Sequence, residues 1–189
     1  MKSYAKSWIL KASLIVIFIV IDLLSKYFLQ RYFETGGDVI VVIKDFVNLE
    51  YVKNTGVAFG MFKNNVVASL IFPVIFLVVF VVYDVLCKTN KITYIFGFSL
   101  IISGAIGNLY DRIILKFVRD FFAIRIFPFV FNFADACVTI GFILIVVSLL
   151  IDIVKKDKVR ANQDKLVKEN KDELSDNKKN TNEGEANEQ

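Results

Sequence analysis

Two aspartates set the chemistry open to this chain: Asp120, in Val118-Arg119-Asp120-Phe121, and Asp135, in Phe131-Asn132-Phe133-Ala134-Asp135. Asp135 opens an apolar stretch running to about Leu150. A carboxylate at the mouth of a membrane span is expensive to keep there and is a functional candidate by default. Two acids close in sequence and facing one bilayer surface can share a proton, which makes an acid–base pair able to cut a peptide bond. The chain has no histidine. That excludes Ser-His-Asp and Cys-His triads, HExxH zinc sites and histidine proton shuttles. Cys87 and Cys137 are far apart, form no CxxC, and read as buried small hydrophobes. Carboxylates, lysines and hydroxyls remain.

Further polar residues recur at helical spacing. Asp22 and Lys26 are four apart and share a helix face; a substrate-orienting pair and an internal brace are both open readings. In Asn54-Thr55-Gly56-Val57-Ala58-Phe59-Gly60, Asn54 offers donor and acceptor groups and Gly56 permits close backbone approach. The motif reads as a polar clamp on a substrate backbone or as an ordinary turn. Ser99, Ser103 and Gly107 make a seam of small residues every fourth position, suited to tight helix packing. Asn108, Asp111 and Arg112 follow on one face. Asp111 is expected to be a scaffold rather than a catalyst, with its neighbour Arg112 holding it ionised. Asn132, Asp135 and Thr139 form a polar stripe, Asn132 as a helix cap with Pro128 upstream and Asp135 in the first turn. Asp84 with Lys88, and Asp152 with Lys156, read as interfacial ion pairs.

The elements that must position these residues are apolar. Hydrophobic residues make up 56% of the 189, too much for a soluble domain of this size. Four apolar segments, about 8–29, 66–87, 92–110 and 131–154, each approach the twenty or so residues a helix needs to cross hydrocarbon. Backbone groups in lipid must pair within their segment, so these are helices. The first, with Lys2 and Lys6 ahead of it, is too long for a cleaved leader and is expected to be retained. The short basic connector Lys88-Thr89-Asn90-Lys91 and the run Lys155, Lys156, Lys158, Arg160 mark the cytoplasmic face. Both termini are then cytoplasmic and the two aspartates extracytoplasmic. Residues 30–65 form an outer loop with strand signals at Val39–Ile43 and Phe46–Val52 and turns at Gly36-Gly37 and Lys44-Asp45. Residues 157–189 are polar, rich in Asn, Lys and Glu, and read as a cytoplasmic tail that ends in disorder. The expected fold is a mainly α membrane protein: four transmembrane helices in residues 1–156, a small extracytoplasmic β-sheet and a disordered C-terminal tail. The net charge of +4 is not gathered into one patch, so no nucleic-acid face is expected.

Five blocks together resemble lipoprotein signal peptidase, also called signal peptidase II: Asp22 to Lys26, Asn54 to Phe59, Gly104 to Arg112, Val118 to Phe121 and Phe131 to Asp135. The resemblance covers roughly residues 5–155 and leaves the tail outside. Ser103 stands where the family often has glycine. The resemblance implies a bacterial inner-membrane aspartyl peptidase. Such enzymes remove the signal peptide from prolipoproteins whose lipobox cysteine carries diacylglycerol, and the cyclic peptide globomycin inhibits them. It implies Asp120 and Asp135 as the catalytic pair. Asp22, Lys26, Asn54, Gly56, Asn108, Asp111, Arg112, Asn132 and Ala134 match supporting and substrate-contacting positions. No cofactor or metal is implied, membrane lipids are the surroundings, and a monomer is expected. From the residues alone, Asn54, Asn132 and Arg112 are candidate donors to a tetrahedral intermediate. Three rivals stand beside this reading: a serine–lysine peptidase built on Ser25 and Lys26, a transporter or channel, and a membrane scaffold. The polar residues cluster at the outer helix ends and leave no polar path across the bilayer, which counts against transport.

Overall fold

The computed structural model describes residues 2–56, 66–126 and 129–186. Within them lie helix α1 (Lys2–Glu34), strands β1 (Ile40–Ile43) and β2 (Val47–Asn54), helices α2 (Val66–Cys87) and α3 (Ile92–Ile114), strands β3 (Val118–Ile124) and β4 (Phe129–Phe131), and helix α4 (Phe133–Ala186). Val57–Gly60 of the Asn54 motif, and Pro128, lie outside the described residues. The chain divides into two compact units, Met1–Val146 and Val147–Gln189. The second is helical as far as Ala186, so the disordered tail expected from composition is corrected to helix. Residues 157–186 hold no proline to break a helix, and their lysines and glutamates lose little freedom on entering one.

Among the described residues, three helical stretches are long and apolar enough to cross a membrane: Ala5–Glu34, Ile92–Ile114 and Phe133–Asp164. Helix α2 has 22 residues, but its described apolar part is the shorter Pro73–Cys87. Outward side chains such as Ile9, Val16, Phe28 and Leu86 are large, apolar and exposed. A helix that is apolar all round suits lipid rather than water. Of these three stretches α3 alone is largely enclosed, and its buried face carries Tyr94, Phe98, Ile101 and Ile102. These meet Ile145 of α4, Ile15 of α1 and Phe76, Leu77 and Phe80 of α2 to make the core.

The seam of small residues faces α1. Ser99 Oγ lies 3.4 Å from the Lys11 carbonyl, and a Cβ at Gly107 would collide with the Asp22 carboxylate. Gly104 serves the other side, where a Cβ would strike the Ala134 carbonyl of α4. A buried ion pair ties α1 to α2: Lys11 Nζ lies 2.5 Å from Asp84 Oδ1, with both side chains at 0% exposure. Lys11 also sits 5.1–5.5 Å from the ring centres of Trp8, Tyr94 and Phe98. The expected Asp84–Lys88 pair is therefore corrected to Asp84–Lys11. A buried carboxylate needs a buried cation, and the snorkelling stem of Lys11 reaches it along apolar rings. Cys137 is buried as expected, whereas Cys87, at the end of α2, is exposed.

The sheet has the order β1-β2-β3-β4, antiparallel throughout. Its first hairpin turns at Lys44-Asp45 as expected, with Asp45 in the left-handed region at φ 60°, where Asp is tolerated. Strands β3 and β4 were not foreseen. Phe131, read as the start of the fourth span, ends β4, and α4 begins at Phe133. In the β2–β3 ladder Leu49 faces Phe122 but Val52 faces Asp120, so β2 carries one extra residue there. Such a bulge bends the strand and re-aims side chains, often beside a site. Phe121, 1% exposed, stacks on Tyr51 at 5.5 Å and on Phe33 of α1 at 6.4 Å. That stacking fixes β3 against α1 next to Asp120.

Candidate active site

Asp120 and Asp135 are linked through one residue, Asn132. This residue caps α4: its Oδ1 accepts from the Asp135 backbone N–H at 2.9 Å, and Asp135 Oδ2 accepts from the Asn132 N–H at 3.2 Å. The exchange is a capping box with Asp in place of Glu. With its oxygen so occupied, Asn132 turns its Nδ2 to Asp120 Oδ1 at 2.6 Å and to Asn108 Oδ1 at 3.0 Å. Asp135 is thus a helix-capping acid, and its other oxygen accepts from Asn108 Nδ2 at 2.7 Å.

Asp120 lies in β3 and is 1% exposed. Its Oδ2 accepts from Asn54 Nδ2 at 2.8 Å. Asn54 ends β2, and its Oδ1 accepts from the Gly56 N–H at 3.0 Å in a local Asx-type turn. Burial, helped by the charge of Asp135, pushes the Asp120 carboxyl up to about 7, against the opposing pull of the Asn54 and Asn132 amides and of Lys26. A buried carboxyl loses the water that would solvate its anion, and a second acid nearby adds to the cost.

Behind this pair runs a fully buried network of charges. Lys26 Nζ donates to Asp22 Oδ2 at 2.8 Å and to Asn108 Oδ1 at 3.1 Å, and lies 3.5 Å from Asp111 Oδ2. Asp22 Oδ1 accepts the Ala134 N–H at 3.0 Å, which satisfies an otherwise orphaned amide in the first turn of α4. Asp22 and Lys26, expected to share a helix face, form a buried pair four residues apart. Asp111 accepts from the Arg119 backbone N–H and Nε at 3.1 Å each, and from Nη2 at 2.6 Å. The arginine expected beside Asp111 is corrected: it is Arg119 of β3 and not the adjacent Arg112. Consecutive helix residues diverge, so Arg112 points away from its neighbour. Its Nη2 lies 3.5 Å from the Gly56 carbonyl and its Nη1 3.4 Å from that of Asn108, and the charges of Asp135 and Asp120 act on it.

Every candidate from Asp22 to Ala134 lies in this network, and Thr139 alone stands apart, exposed, with its hydroxyl on the Asp135 carbonyl. Ser25 also bonds back to its own helix, at the Asp22 carbonyl, while Lys26 turns inward; the serine–lysine pair is not formed. Among the described residues no group of three or more His, Cys, Asp or Glu could hold a metal ion.

This arrangement, on helices suited to a membrane, has known counterparts. The model of the family described as signal peptidase (SPase) II matches residues 14–151. The chain belongs to the signal peptidase II family. It is 39% identical over 149 residues to the lipoprotein signal peptidase of Clostridium tetani, covering 76% of this chain and 92% of that one. It is 41% identical to that of Thermodesulfovibrio yellowstonii, over 70% of this chain and 88% of the relative. With that of Staphylococcus aureus it shares 34% identity over 82% and 98% of the two chains. Among solved structures, a bacterial membrane enzyme determined by the in meso method at 2.3 Å superposes with a TM-score of 0.66 at 30% identity, over 76% of this chain and 88% of that one. The chain is therefore a peptidase of this family.

Two residues of this signal peptidase II chain escaped the reading of its sequence. Arg119 holds Asp111 and also donates to Gln30 Oε1 of α1 at 3.2 Å. Its one signal was its place beside Asp120. Lys11 carried none, since a lone lysine in an apolar run does not announce its partner.

Proposed function

We propose that the protein is an aspartyl endopeptidase of the bacterial cytoplasmic membrane. It removes the signal peptide from prolipoproteins whose lipobox cysteine carries diacylglycerol. Asp120 and Asp135 are the catalytic pair. The observation that carries this reading is the Asn132 bridge between two acids, one of them held near neutrality by burial. One acid takes a proton from water. The other, protonated, polarises the scissile carbonyl. General acid–base help of this kind supplies roughly 10²- to 10⁴-fold per group. The carboxamides of Asn54 and Asn132 hold the acids, and the Arg112 guanidinium is the donor available to a developing oxyanion. Gly56 sets its carbonyl 3.5 Å from that guanidinium. Asp22, Lys26, Asn108, Asp111 and Ala134 support the first turn of α4 and the start of β3.

Helix α2 is the fourth span, so that both termini are cytoplasmic and the site opens near the extracytoplasmic face. The substrate, anchored by its signal helix and acyl chains, diffuses in the bilayer and presents the bond at a fixed depth. Globomycin, a cyclic peptide, competes for that groove, and the enzyme acts as a monomer among membrane lipids. The test is cleavage of a diacylglyceryl-modified lipobox peptide by the purified protein. Asp120→Asn and Asp135→Asn are each expected to abolish turnover while the protein still inserts. Appreciable cleavage by either variant would refute the pair.

A further inference from the structure

We propose that the single proton of the acid pair resides on Asp120, and that Lys26 is a positioning residue that holds the Asn108 donor on Asp135. The inference rests on the reading of the two aspartates as the catalytic pair.

A carboxamide beside a carboxyl presents either its oxygen or its NH₂. The first favours the protonated acid and the second the carboxylate. In this site each carboxamide is oriented by a group that can only donate. Asn132 Oδ1 receives the Asp135 backbone N–H, and Asn54 Oδ1 receives the Gly56 backbone N–H. Among the described residues no backbone amide serves Asn108 in this way. Its Oδ1 receives the Lys26 ammonium at 3.1 Å, along with Asn132 Nδ2. An ammonium has three donors and no acceptor, so the Asn108 NH₂ is forced onto Asp135 Oδ1 at 2.7 Å. Lys26 does for Asn108 what the backbone does for the other two.

The environments of the two acids then differ in kind. Asp135 is half-buried. It takes the Asn108 NH₂ and the Asn132 backbone N–H, in the first turn of a helix whose positive end favours an anion. Asp120 sits in a strand, 1% exposed; among the described residues two neutral carboxamides donate to it, and their preference for its anion is outweighed by burial. Among the described residues, the other charged or titratable groups facing the pair are Asp22 and Lys26 from α1, Asp111 and Arg112 from α3, and Cys137 from α4. The negative charge settles on Asp135 and the proton on Asp120, whose carboxyl is pushed up to about 7.

The reaction follows with its protons balanced. Asp135 removes a proton from water, the hydroxide oxygen bonds to the scissile carbon, and Asp120 gives its proton to the carbonyl oxygen to form a gem-diol. Asp135 then protonates the leaving nitrogen as the C–N bond breaks. Asp120 recovers a proton from the diol, and both acids return to their starting states.

The experiment is the pH profile of kcat/KM for the lipobox peptide, between about pH 4 and 9, in the full-length protein. Asn108→Ala removes a donor from Asp135 and leaves Lys26 paired with Asp22 and Asp111. It is expected to move the low-pH limb upward by about one unit, the size expected for a hydrogen bond to a charged group. The high-pH limb stays. Asn54→Ala, which removes a donor from Asp120, is expected to move the high-pH limb upward and leave the low-pH limb. Lys26→Met, where it folds, is expected to move the low-pH limb upward as Asn108→Ala does and, because the Lys26 charge also pulls on Asp120, to move the high-pH limb upward too, with kcat reduced more than KM is raised. Exchange of the two limb assignments would put the proton on Asp135 and overturn the proposal. A Lys26→Met profile that superimposes on wild type after scaling would remove Lys26 from the role. Failure of the pair itself reads out separately, as residual turnover in Asp120→Asn or Asp135→Asn.

Discussion

Asp111→Asn takes one negative charge from a place that holds three hydrogen bonds from Arg119 and an ion contact from Lys26. Asp111 and Lys26 are at 0% side-chain exposure and Arg119 at 8%, so solvent screens none of this well. Breaking one side of a buried pair costs about 3–5 kcal/mol, because the remaining charge has no water to return to. Two features move the value to the low end. Asparagine keeps one oxygen for the Arg119 N–H, and the cations keep other partners, Lys26 at Asp22 and Arg119 at Gln30. A loss of about 3 kcal/mol at roughly 2–4 °C per kcal/mol gives a Tm lower by about 6–12 °C for a chain of this size. Turnover per folded molecule should fall no more than about tenfold, on the scale of a displaced support rather than a missing acid or base. The assay pairs thermal unfolding in detergent with specific activity corrected for folded fraction. Arg119→Gln should show the same fall in Tm. An Asp111→Asn protein with Tm within a degree or two of wild type and no turnover would refute the argument and move Asp111 into the reaction.

Asp120→Asn should abolish turnover and also change how stability depends on pH. With its carboxyl raised to about 7, wild type carries a neutral group at pH 5 and a costly buried anion at pH 8; its contribution to stability is lost as pH rises through 7. The Tm advantage of the asparagine variant should therefore be larger at pH 8 than at pH 5, and the reverse order would contradict the assignment. Lys11→Met leaves Asp84 uncompensated and should cost about 3–5 kcal/mol, whereas Lys11→Met with Asp84→Leu should recover most of it; a double variant as unstable as the sum of the singles would show that the pair is not coupled. Gly107→Ala should push the Asp22 carboxylate off its position, costing about 1–3 kcal/mol and lowering turnover; unchanged Tm and rate would show slack in the seam. Deleting the residues after Arg160 should leave cleavage intact, checked with the same peptide, and a large loss would give the tail a role.

The sequence by itself determined what depends on composition and local period. Apolar runs about twenty residues long specified helices suited to a membrane, and the absence of histidine narrowed the chemistry to carboxylates. The Asn132–Asp135 spacing announced a helix start, and Val39–Ile43 announced a strand. Each of these is a statement about neighbours in the chain. Only the tertiary structure decided the partners. Asp111 takes Arg119 rather than Arg112, and Asp84 takes Lys11 rather than Lys88. In a medium with little water, a buried charge goes to the cation that can be desolvated with it, however distant in sequence. The short strands β3 and β4 were hidden for a related reason. Their residues are apolar like the spans around them, and only pairing with β2 tells a buried strand from a buried helix. The same pairing, with its bulge opposite Phe121, carried Asp120 to the start of α4 and made one site of two acids fifteen residues apart.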